Sequence, residues 1–482
     1  MLRDVVSFSS GWRAFKRASP TPAIASFVAF MERRLGGAFA YDVSAFPYGA
    51  EDLADLFGLA EDFRRRGIIA SYSRGQNLAD EPKFPRWQAA YADTHHGPAS
   101  GMATNDERQA LTATLAETIE RYVWFHATDY FQSPQKQTAS AMAKRGAIMA
   151  PERFAGFSNE QRAADPLLTI KPESEYLWIR GRSWVSGKKI WIPAQVVSGK
   201  YGAENMRYKK TEPVILSTIT TGLATGVTQR DAILGGILEI LERDAFMIMW
   251  LNQLSLPRLD LDALALESDT FAMLLAKCRR YRLQIDAVRL ITDAPTYAVC
   301  AVVRDAAREG VAFAIGLKAN RSPARAVEGA LLEALRMRQN VRNDIKRGTL
   351  DESKVPADIV HLEHATYWAL GDRAQRTAFM TTGPVEKRKR EVWEDDTASQ
   401  HLDRILAWCC EKGYGCASVD LGRSHENISP WKIEMVVMPE MQPLHQTERL
   451  IYLGGERLVT IPKMFGHQPR PTPFADEPHP FA

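Results

Sequence analysis

Three stretches of the chain repeat glutamate and arginine at helical spacing. They read QALTATLAETIERY, DAILGGILEILERDA and RAVEGALLEALRMRQ. Their charged residues are Glu117, Glu120 and Arg121; Glu239, Glu242 and Arg243; and Glu333, Arg336 and Arg338. Positions i, i+3 and i+4 share one face of a helix, so the first two stretches each predict a single charged stripe. The third follows the same spacing less strictly.

Small residues precede each charged stripe by one or two helical turns. The second helix has Gly235 and Gly236 side by side, and each glycine within a helix costs about 1 kcal/mol relative to alanine. The other two helices have Ala113 and Gly329 four residues before their first glutamate. The pattern predicts that a ligand or another backbone approaches these faces closely.

These side chains suit a polyphosphate with bound metal. Carboxylates hold Mg²⁺ that bridges phosphate oxygens, and arginines bind the oxygens directly. A solvated, salt-bridged face is the alternative for any one such helix, but the second helix is flanked by apolar residues. A di-metal carboxylate bundle needs Glu-x-x-His on two helices, which these stretches lack. GRSWVSGKK (181–189) resembles a P-loop but has five residues between its glycines instead of four.

Composition narrows the class of protein. The 482 residues include 61 basic and 58 acidic side chains, a balance that gives no argument for a nucleic-acid or membrane partner. No run approaches the roughly 18 apolar residues of a membrane span, and the N-terminus lacks the apolar core of a signal peptide. The five cysteines form no C-x-x-C pair. We interpret them as reduced thiols of a cytoplasmic protein.

Periodicity predicts a mixed α/β (α+β) fold with long helices packed on β-sheets. The long helices are predicted over Asp106–Tyr130, Thr228–Asn252 and Ser322–Arg347. Alternating or continuous apolar runs predict strands within 175–220 and 284–316.

Two of these segments resemble the YcaO family. TTGLATGVTQRDAILGGILEILERDAF (220–246) is similar to its turn and E-x-x-E-R-D-A helix, and SGMATNDERQALTATLAETIERY (100–122) to its E-x-x-E-R-Y helix. ALLEALRMR (330–338) resembles the third helix of the family. The resemblance implies a YcaO-type ATP-binding fold without a P-loop. It divides the chain into an N-terminal α/β segment (1–90), a catalytic domain (91–440) and a Pro-rich tail (441–482).

The resemblance also implies the ligands, ATP and Mg²⁺, held between these helices. Glu117, Glu120, Glu239 and Glu242 would be metal ligands or nucleotide contacts, and Glu333 a further metal ligand. Arg121, Arg243, Arg336 and Arg338 would contact phosphate or pair with those carboxylates. The sequence departs from the family at Ala113, where serine is frequent, and at Arg336, which occupies a glutamine position.

The C-terminal residues resemble the tail of azoline-forming members of the family. The chain has PRPTP (469–473) and ends PHPFA (478–482). Proline restricts φ, so such a tail is stiff, although a disordered end is the default for a terminus. In this class the tail reaches the active site, which implies roles for His479, Pro480 and Ala482. The tail carboxylate or His479 is expected to move protons.

The implied reaction is ATP-dependent cyclodehydration of Cys, Ser or Thr in a ribosomally made precursor peptide, giving thiazoline or oxazoline. The expected partners are that peptide, a separate leader-binding protein and a flavin-dependent azoline dehydrogenase, and the chain is expected to form a homodimer. The alternatives are a thioamide- or amidine-forming YcaO enzyme and a non-catalytic accessory or scaffold protein.

Overall fold

The structure is a computed structural model of the chain. It describes residues 53–93, 97–126, 135–205, 212–217, 219–305, 311–347, 355–360, 363–369, 371–422, 429–471 and 477–481. The predicted N-terminal segment is thus described only from residue 53, and Ala482 lies outside the described residues.

The described strands and helices are numbered in chain order. The strands are β1 (Ile69–Arg74), β2 (Arg86–Tyr91), β3 (Ala99–Met102), β4 (Gln135–Thr138), β5 (Glu175–Ser183), β6 (Lys189–Pro193), β7 (Leu223–Gly226), β8 (Arg258–Leu259), β9 (Leu283–Leu290), β10 (Tyr297–Asp305), β11 (Phe313–Asn320), β12 (Val385–Glu386), β13 (Ala417–Asp420) and β14 (Lys432–Val437). The α-helices are α1 (Ala54–Arg65), α2 (Glu107–His126), α3 (Ala139–Ala143), α4 (Asn159–Ala164), α5 (Gly199–Glu204), α6 (Gln229–Asn252), α7 (Leu261–Ala265), α8 (Asp269–Arg280), α9 (Pro323–Arg347), α10 (Glu363–Ala369), α11 (Ala398–Lys412) and α12 (Arg457–Met464).

The chain divides into two compact units. Among the described residues, the first comprises those of 53–75 and 85–118, and the second comprises those of 76–84 and 119–481. The first unit contains a three-stranded antiparallel sheet in the order β1-β2-β3. The second contains a five-stranded sheet, β11-β10-β9-β8-β12, and a six-stranded sheet in which β4-β5-β13-β14-β7 form the path and β6 pairs with β5. The mixed helix-and-sheet class predicted from the sequence is confirmed.

Helix α6 contacts both sheets of the second unit, which explains its composition. It packs on β7 and β14 of the six-stranded sheet and on β11 and β10 of the five-stranded sheet. Its C-terminal half, from Ala245 to Leu251, is buried with Leu290 and Leu317. Its N-terminal half buries Ile233 and Ile237 against other elements. The stretch from Ala245 to Leu251 is covered on all sides, so it needs apolar residues all round, and that is its pattern in the sequence.

One charge within α6 has a structural partner. Both carboxylate oxygens of Asp244 accept hydrogen bonds from the Arg457 guanidinium, at 2.8 and 2.7 Å. Asp293 lies 2.9 Å from the same guanidinium, and the amide of Gln442 donates to Asp244 at 2.7 Å. Breaking a buried pair by removing one partner leaves an uncompensated charge. Asp244 therefore stabilises the packing of α6 against the C-terminal segment.

The long helices match their predicted positions, with small differences at the ends. Thr228 caps α6, and its hydroxyl accepts a hydrogen bond from the Asp231 amide. The P-loop-like stretch 181–189 forms a hairpin between β5 and β6, and no helix follows it as a P-loop requires. The region 175–220, where strands are predicted, includes the apolar run PVILSTI (213–219), and a strand there is wrong for its described residues. There the Ile215 amide donates to the Gln195 side chain, and the Ser217 amide donates to the Tyr452 hydroxyl, so side chains take the place of a neighbouring strand.

Within the described ranges, no helix combines the length and the apolar composition needed to cross a bilayer.

Candidate active site

The charged helices each follow a short strand or turn and pack closely on it. Gly222, in the turn before β7, has φ of +89°, a conformation that L side chains rarely adopt. A Cβ on Gly236 of α6 would lie 2.5 Å from the Gly222 carbonyl oxygen. A Cβ on Gly316 of β11 would lie 2.5 Å from the Ala334 amide of α9. The predicted close approach at Gly236 is therefore that of another backbone.

The first glutamate of each helix accepts a hydrogen bond from the backbone that precedes the helix. In the first unit, the amide of Ser100 in β3 donates to Glu117 at 2.9 Å. In the second unit, the amide of Gly222 donates to Glu239 at 2.7 Å. The amide of Leu317 in β11 donates to Glu333 at 2.7 Å. A hydrogen bond to one carboxylate oxygen orients the group, as outer-shell partners orient metal ligands.

In the first two charged helices, the second glutamate accepts a hydrogen bond from the strand that precedes the next charged helix in the chain. Glu120 accepts from the amide of Thr225 in β7 at 2.6 Å. Glu242 accepts from the amide of Ala319 in β11 at 3.0 Å. Glu120 and Glu239 are therefore both held at β7 or its preceding turn, and Glu242 and Glu333 are both held at β11. These backbone bonds set the positions of the carboxylates before any ligand binds.

Two cations lie among the carboxylates of α6 and α9. Arg243 bonds to Glu239 at 2.8 Å and donates to the Thr221 hydroxyl. Lys318 stands on β11 between two backbone amides that hold glutamates. Attraction to Glu242 is the largest effect on the pKa of Lys318 and raises it. Burial opposes this effect, and attraction to Glu333 adds a smaller increase. Glu239, Glu242, Arg243, Lys318 and Glu333 thus form one charged cluster, here called the carboxylate cluster.

Burial acts on the pKa of one carboxylate of the cluster, Glu242. It raises the pKa of Glu242 to about 7, with repulsion from Glu333 and Glu239 adding to the effect and Lys318 opposing it. Carboxylates that crowd together without a metal resist ionisation, and a divalent cation reverses that balance. The chemistry of this cluster is that of a Mg²⁺ site, because hard oxygen ligands are the ones Mg²⁺ prefers.

Without metal, the variant Glu242→Gln is expected to be more stable than the wild type at pH 8. The folded-state pKa of Glu242 lies above its usual 4.5, so the native chain binds more protons than the unfolded chain between about pH 4.5 and 7. Its stability therefore falls as pH rises through that window, whereas glutamine has no charge to bury. We expect an advantage of about 1–3 kcal/mol for the variant at pH 8, shrinking towards pH 5. Urea denaturation in EDTA at both pH values measures it, and an equal difference at the two values would contradict it.

The remaining predicted arginines differ in their surroundings. Arg336 lies 3.5 Å from Glu333 and so borders the carboxylate cluster. Arg121 is half-buried on α2, directly after Glu120. Arg338 departs from the prediction, because its partners are not the predicted carboxylates. It is buried and donates to Glu81 and Asp305, each at 2.7 Å, and to the Val311 carbonyl oxygen. All three guanidinium nitrogens of Arg338 thus donate structural hydrogen bonds.

The C-terminal tail lies against α6 and α10. The Trp368 indole donates to the Pro478 carbonyl oxygen at 2.7 Å, and the Trp250 indole donates to the Glu477 carbonyl oxygen at 3.2 Å. The ring of Phe481 is buried, with its centroid 6.0 Å from that of Phe246 and 5.8 Å from the Arg243 guanidinium. The end of the tail thus contacts an arginine of the carboxylate cluster.

His479 and Pro480 are both buried within this tail. Nε2 of His479 lies 2.8 Å from the His445 carbonyl oxygen. Burial lowers the pKa of His479 well below its usual range, and the nearby His364 and His445 lower it further. The imidazole is therefore neutral at physiological pH. Its role in proton transfer stays a prediction, and so do the roles of Pro480 and Ala482.

Two features of this region were missed by sequence reasoning. Lys318 had a signal, since FAIGLKAN places one lysine at the end of an otherwise apolar strand. The clustering of histidines around His479 had no signal in the sequence, because His364 and His445 lie 81 positions apart in the chain.

Comparison with known proteins covers most of the chain. Residues 103–442, more than half of its length, match the family model described as YcaO cyclodehydratase, ATP- and Mg²⁺-binding. The match includes every member of the carboxylate cluster. ATP and Mg²⁺, the ligands predicted above, are thus the ligands of the matched family.

Solved structures share the fold at low identity. One is a heterocyclase in complex with substrate and cofactor, with a TM-score of 0.67 and 18% identity over 88% of this chain and 57% of that one. YcaO from Methanopyrus kandleri, bound with AMPPCP and Mg²⁺, has a TM-score of 0.54 and 17% identity over 86% of this chain and 97% of that one. The E. coli microcin synthetase McbBCD complex with pro-MccB17 bound has a TM-score of 0.54 and 14% identity over 77% and 87%.

A curated relative is an uncharacterized protein of Methanothermobacter thermautotrophicus. It is 25% identical over 223 residues, which are 42% of this chain and 56% of the relative. This chain therefore spans little more than half the length of that relative and of the heterocyclase. The matched family model and the shared fold lead to one conclusion: the chain belongs to the YcaO family.

Proposed function

We propose that this chain is an ATP- and Mg²⁺-dependent cyclodehydratase that forms azolines from Cys, Ser or Thr in a ribosomally made precursor peptide. The observation that carries the proposal is the carboxylate cluster, whose glutamates are oriented by strand amides and whose Arg243 contacts the C-terminal tail. In this proposal, Arg243 borders both the site of metal-dependent phosphoryl transfer and the C-terminal tail.

Glu239, Glu242 and Glu333 are the residues that would hold Mg²⁺ in this proposal. The ion would offset negative charge on the phosphates of ATP. Arg243 and Arg336 border these carboxylates and would bind phosphate oxygens. Gly235 is exposed one turn before Glu239, and only the Ala224 Cβ, at 3.3 Å, lies near the position of an added Cβ. The helix thus presents a solvent-exposed glycine on its charged face. Glu117, Glu120 and Arg121 stay predicted ligands.

The proposed reaction activates a backbone amide oxygen. The side-chain thiol or hydroxyl adds to the preceding carbonyl carbon and loses its proton. The oxygen of the resulting hemiorthoamide takes the γ-phosphoryl group of ATP, which leaves ADP. Inorganic phosphate then departs with that oxygen, the amide nitrogen loses its proton, and a C=N bond forms within the ring that the addition closed. Catalysis here depends on positioning and on stabilising charge.

The chain's own residues would contribute at two points. The strand amides of Gly222, Leu317 and Ala319 hold the carboxylates in position, so that reorganisation on binding is small. Arg243 carries positive charge beside both Glu239 and the tail. The role of Ala482, which lies outside the described residues, remains a prediction.

The partners follow from the proposed reaction. The M. kandleri structure is described as bound with AMPPCP and Mg²⁺, and the McbBCD complex as having pro-MccB17 bound. By this analogy we propose a precursor peptide and a separate leader-binding protein for this chain. A flavin-dependent dehydrogenase, a homodimer, a cytoplasmic location and the domain boundaries at 90 and 440 remain predictions of the same kind.

The reaction is tested directly by mass spectrometry. The purified chain is incubated with ATP, Mg²⁺ and a pool of Cys-, Ser- and Thr-containing peptides, with and without Glu239→Gln. We expect each ring to remove one water molecule from a peptide and to release one phosphate, and we expect the variant to do neither. Exchange of amide oxygen for sulfur would favour a thioamide-forming enzyme. Nucleotide binding without any peptide product, even with partner proteins added, would favour the accessory role.

A further inference from the structure

Four potential metal ligands converge beneath the C-terminal tail. They are His364 of α10, His445 and Glu448 of the segment that follows β14, and His479 of the tail. One ligand atom from each lies within 4.8 Å of the other three. The three imidazoles are each 1% exposed, and the Glu448 side chain is 4% exposed. The four residues are here called the histidine cluster.

Hydrogen bonds within the cluster orient its members. Nε2 of His364 and Nε2 of His445 both lie 2.9 Å from Oε1 of Glu448. The rings of His364 and His479 stack with centroids 4.0 Å apart, and the His445 ring meets that of His479 edge-on at 4.5 Å. A carbonyl oxygen only accepts, so Nε2 of His479 donates its proton to the His445 carbonyl oxygen. A neutral ring protonated at Nε2 has its lone pair on Nδ1.

Two nitrogens of the cluster lack hydrogen-bond partners. Among the residues that the structure describes, Nδ1 of His445 and Nδ1 of His479 are both buried without one. A buried polar atom without a partner costs about 1–3 kcal/mol, and such atoms need an explanation. A purely hydrogen-bonded cluster leaves these nitrogens unexplained. A bound cation accounts for the lone pair of His479 and for the gathering of three imidazoles around one carboxylate.

We propose that His364, His445, Glu448 and His479 bind one Zn²⁺ ion and that this ion fixes the C-terminal tail to the body of the second unit. Three imidazoles and a carboxylate are ligands that zinc takes in tetrahedral sites. With bonds of about 2.0–2.1 Å, the ligand atoms of such a site lie about 3.4 Å apart, so small side-chain rotations close the cluster around the ion. The Nε2–H bond from His479 to a backbone carbonyl is the outer-shell contact usual for a metal-binding histidine.

The site joins segments that are remote in the chain. His364 lies four residues before Trp368, whose indole holds the Pro478 carbonyl oxygen, and His479 lies two residues before Phe481. An ion bound to both histidines would therefore restrain the stretch that contacts Arg243. Zinc binding itself does not depend on the proposed cyclodehydratase activity, so each can fail without the other.

Metal content and metal uptake test the site. Zinc is measured by inorganic mass spectrometry after purification without chelator. The EDTA-treated wild-type chain is then titrated with Zn²⁺ and with Co²⁺, whose visible absorption reports ligand geometry. We expect about one ion per chain. His364→Ala and His479→Ala should lower zinc affinity by more than about 100-fold, since even outer-shell changes cost 10- to 100-fold. His467→Ala, outside the cluster, is the matched control and should retain the ion.

The tail supplies a second readout that needs no substrate. Trp250 and Trp368 donate to tail carbonyl oxygens, so release of the tail should change tryptophan emission. We expect EDTA to cause this change and to expose the C-terminal residues to carboxypeptidase, and Zn²⁺ to reverse both effects. The proposal is overturned if folded wild-type chain takes up neither Zn²⁺ nor Co²⁺, or if the two cluster variants bind as much zinc as the control. Direct titration of the wild type keeps the test valid should a variant not fold.

Discussion

Replacing Glu242 by glutamine is expected to abolish Mg²⁺-dependent binding of an ATP analogue that resists hydrolysis. Glutamine keeps an oxygen that can accept from the Ala319 amide, so the contact between α6 and β11 is retained. It removes the negative charge that would hold the metal, while Lys318 and Arg243 keep their positive charges in the cluster. We expect the affinity for the Mg²⁺ nucleotide to fall at least about 100-fold, which corresponds to about 2.7 kcal/mol.

Isothermal titration calorimetry with and without Mg²⁺ measures this effect. The matched control is Glu328→Gln, which changes a buried glutamate of α9 that bonds to Arg325 at 3.0 Å and is not a member of the carboxylate cluster. Its affinity should stay within about threefold of the wild type, because changes away from such sites are usually small. The expected gain in stability of metal-free Glu242→Gln at pH 8 separates loss of binding from loss of fold. If Glu242→Gln bound the Mg²⁺ nucleotide with wild-type affinity, Glu242 would not belong to the proposed site.

Removing residues 478–482 is expected to abolish cyclisation while leaving nucleotide binding largely intact. The tail contacts Arg243 through Phe481, whereas the glutamates are held by strand amides that the deletion does not touch. Misplacement of a positioning element by about 1 Å costs roughly 100-fold in rate, so its removal should cost at least as much. The affinity for the Mg²⁺ nucleotide should change by less than about threefold, since no carboxylate is lost.

Peptide-stimulated phosphate release and azoline formation measure the deletion, and calorimetry measures its nucleotide affinity. Phe465→Leu is the control, because Phe465 is an exposed aromatic residue of the same C-terminal segment and belongs to neither cluster, so cyclisation should be retained. Circular dichroism confirms the fold of the shortened chain, which loses the buried His479 and Phe481. Intact cyclisation after the deletion would contradict the proposed role of the tail in the reaction. The tail would then serve only in packing.

Lys318 shows how a strand residue enters a site that helices define. Sequence reasoning followed the charges of the helices, whose spacing is visible because i and i+3 share one face. A single lysine in a strand has no such repeat. Its importance appears only when β11 places it between the amides that hold Glu242 and Glu333. Lys318 is a member of the cluster because β11 places its charge there, and the residue type alone does not reveal that position.

Arg338 shows the opposite case. It lies two residues from Arg336 and carries the same charge, so the local sequence does not distinguish their roles. The direction of each side chain around α9 separates them, since successive residues of a helix point about 100° apart. Arg336 turns towards Glu333, whereas Arg338 turns into the protein and meets Glu81 and Asp305.

Local sequence by itself determined the long helices, the stripes of glutamate on them, the mixed fold class and the resemblance to the YcaO family. These properties depend on residues within a few turns of one another, where periodicity and side-chain direction follow from backbone geometry. Tertiary structure alone decided which backbone amides hold the glutamates, which charges in α6 are structural, and where the tail lies. It also brought together His364, His445, Glu448 and His479. Such contacts join residues far apart in the chain, and only the packing of helices on sheets sets the distances between them.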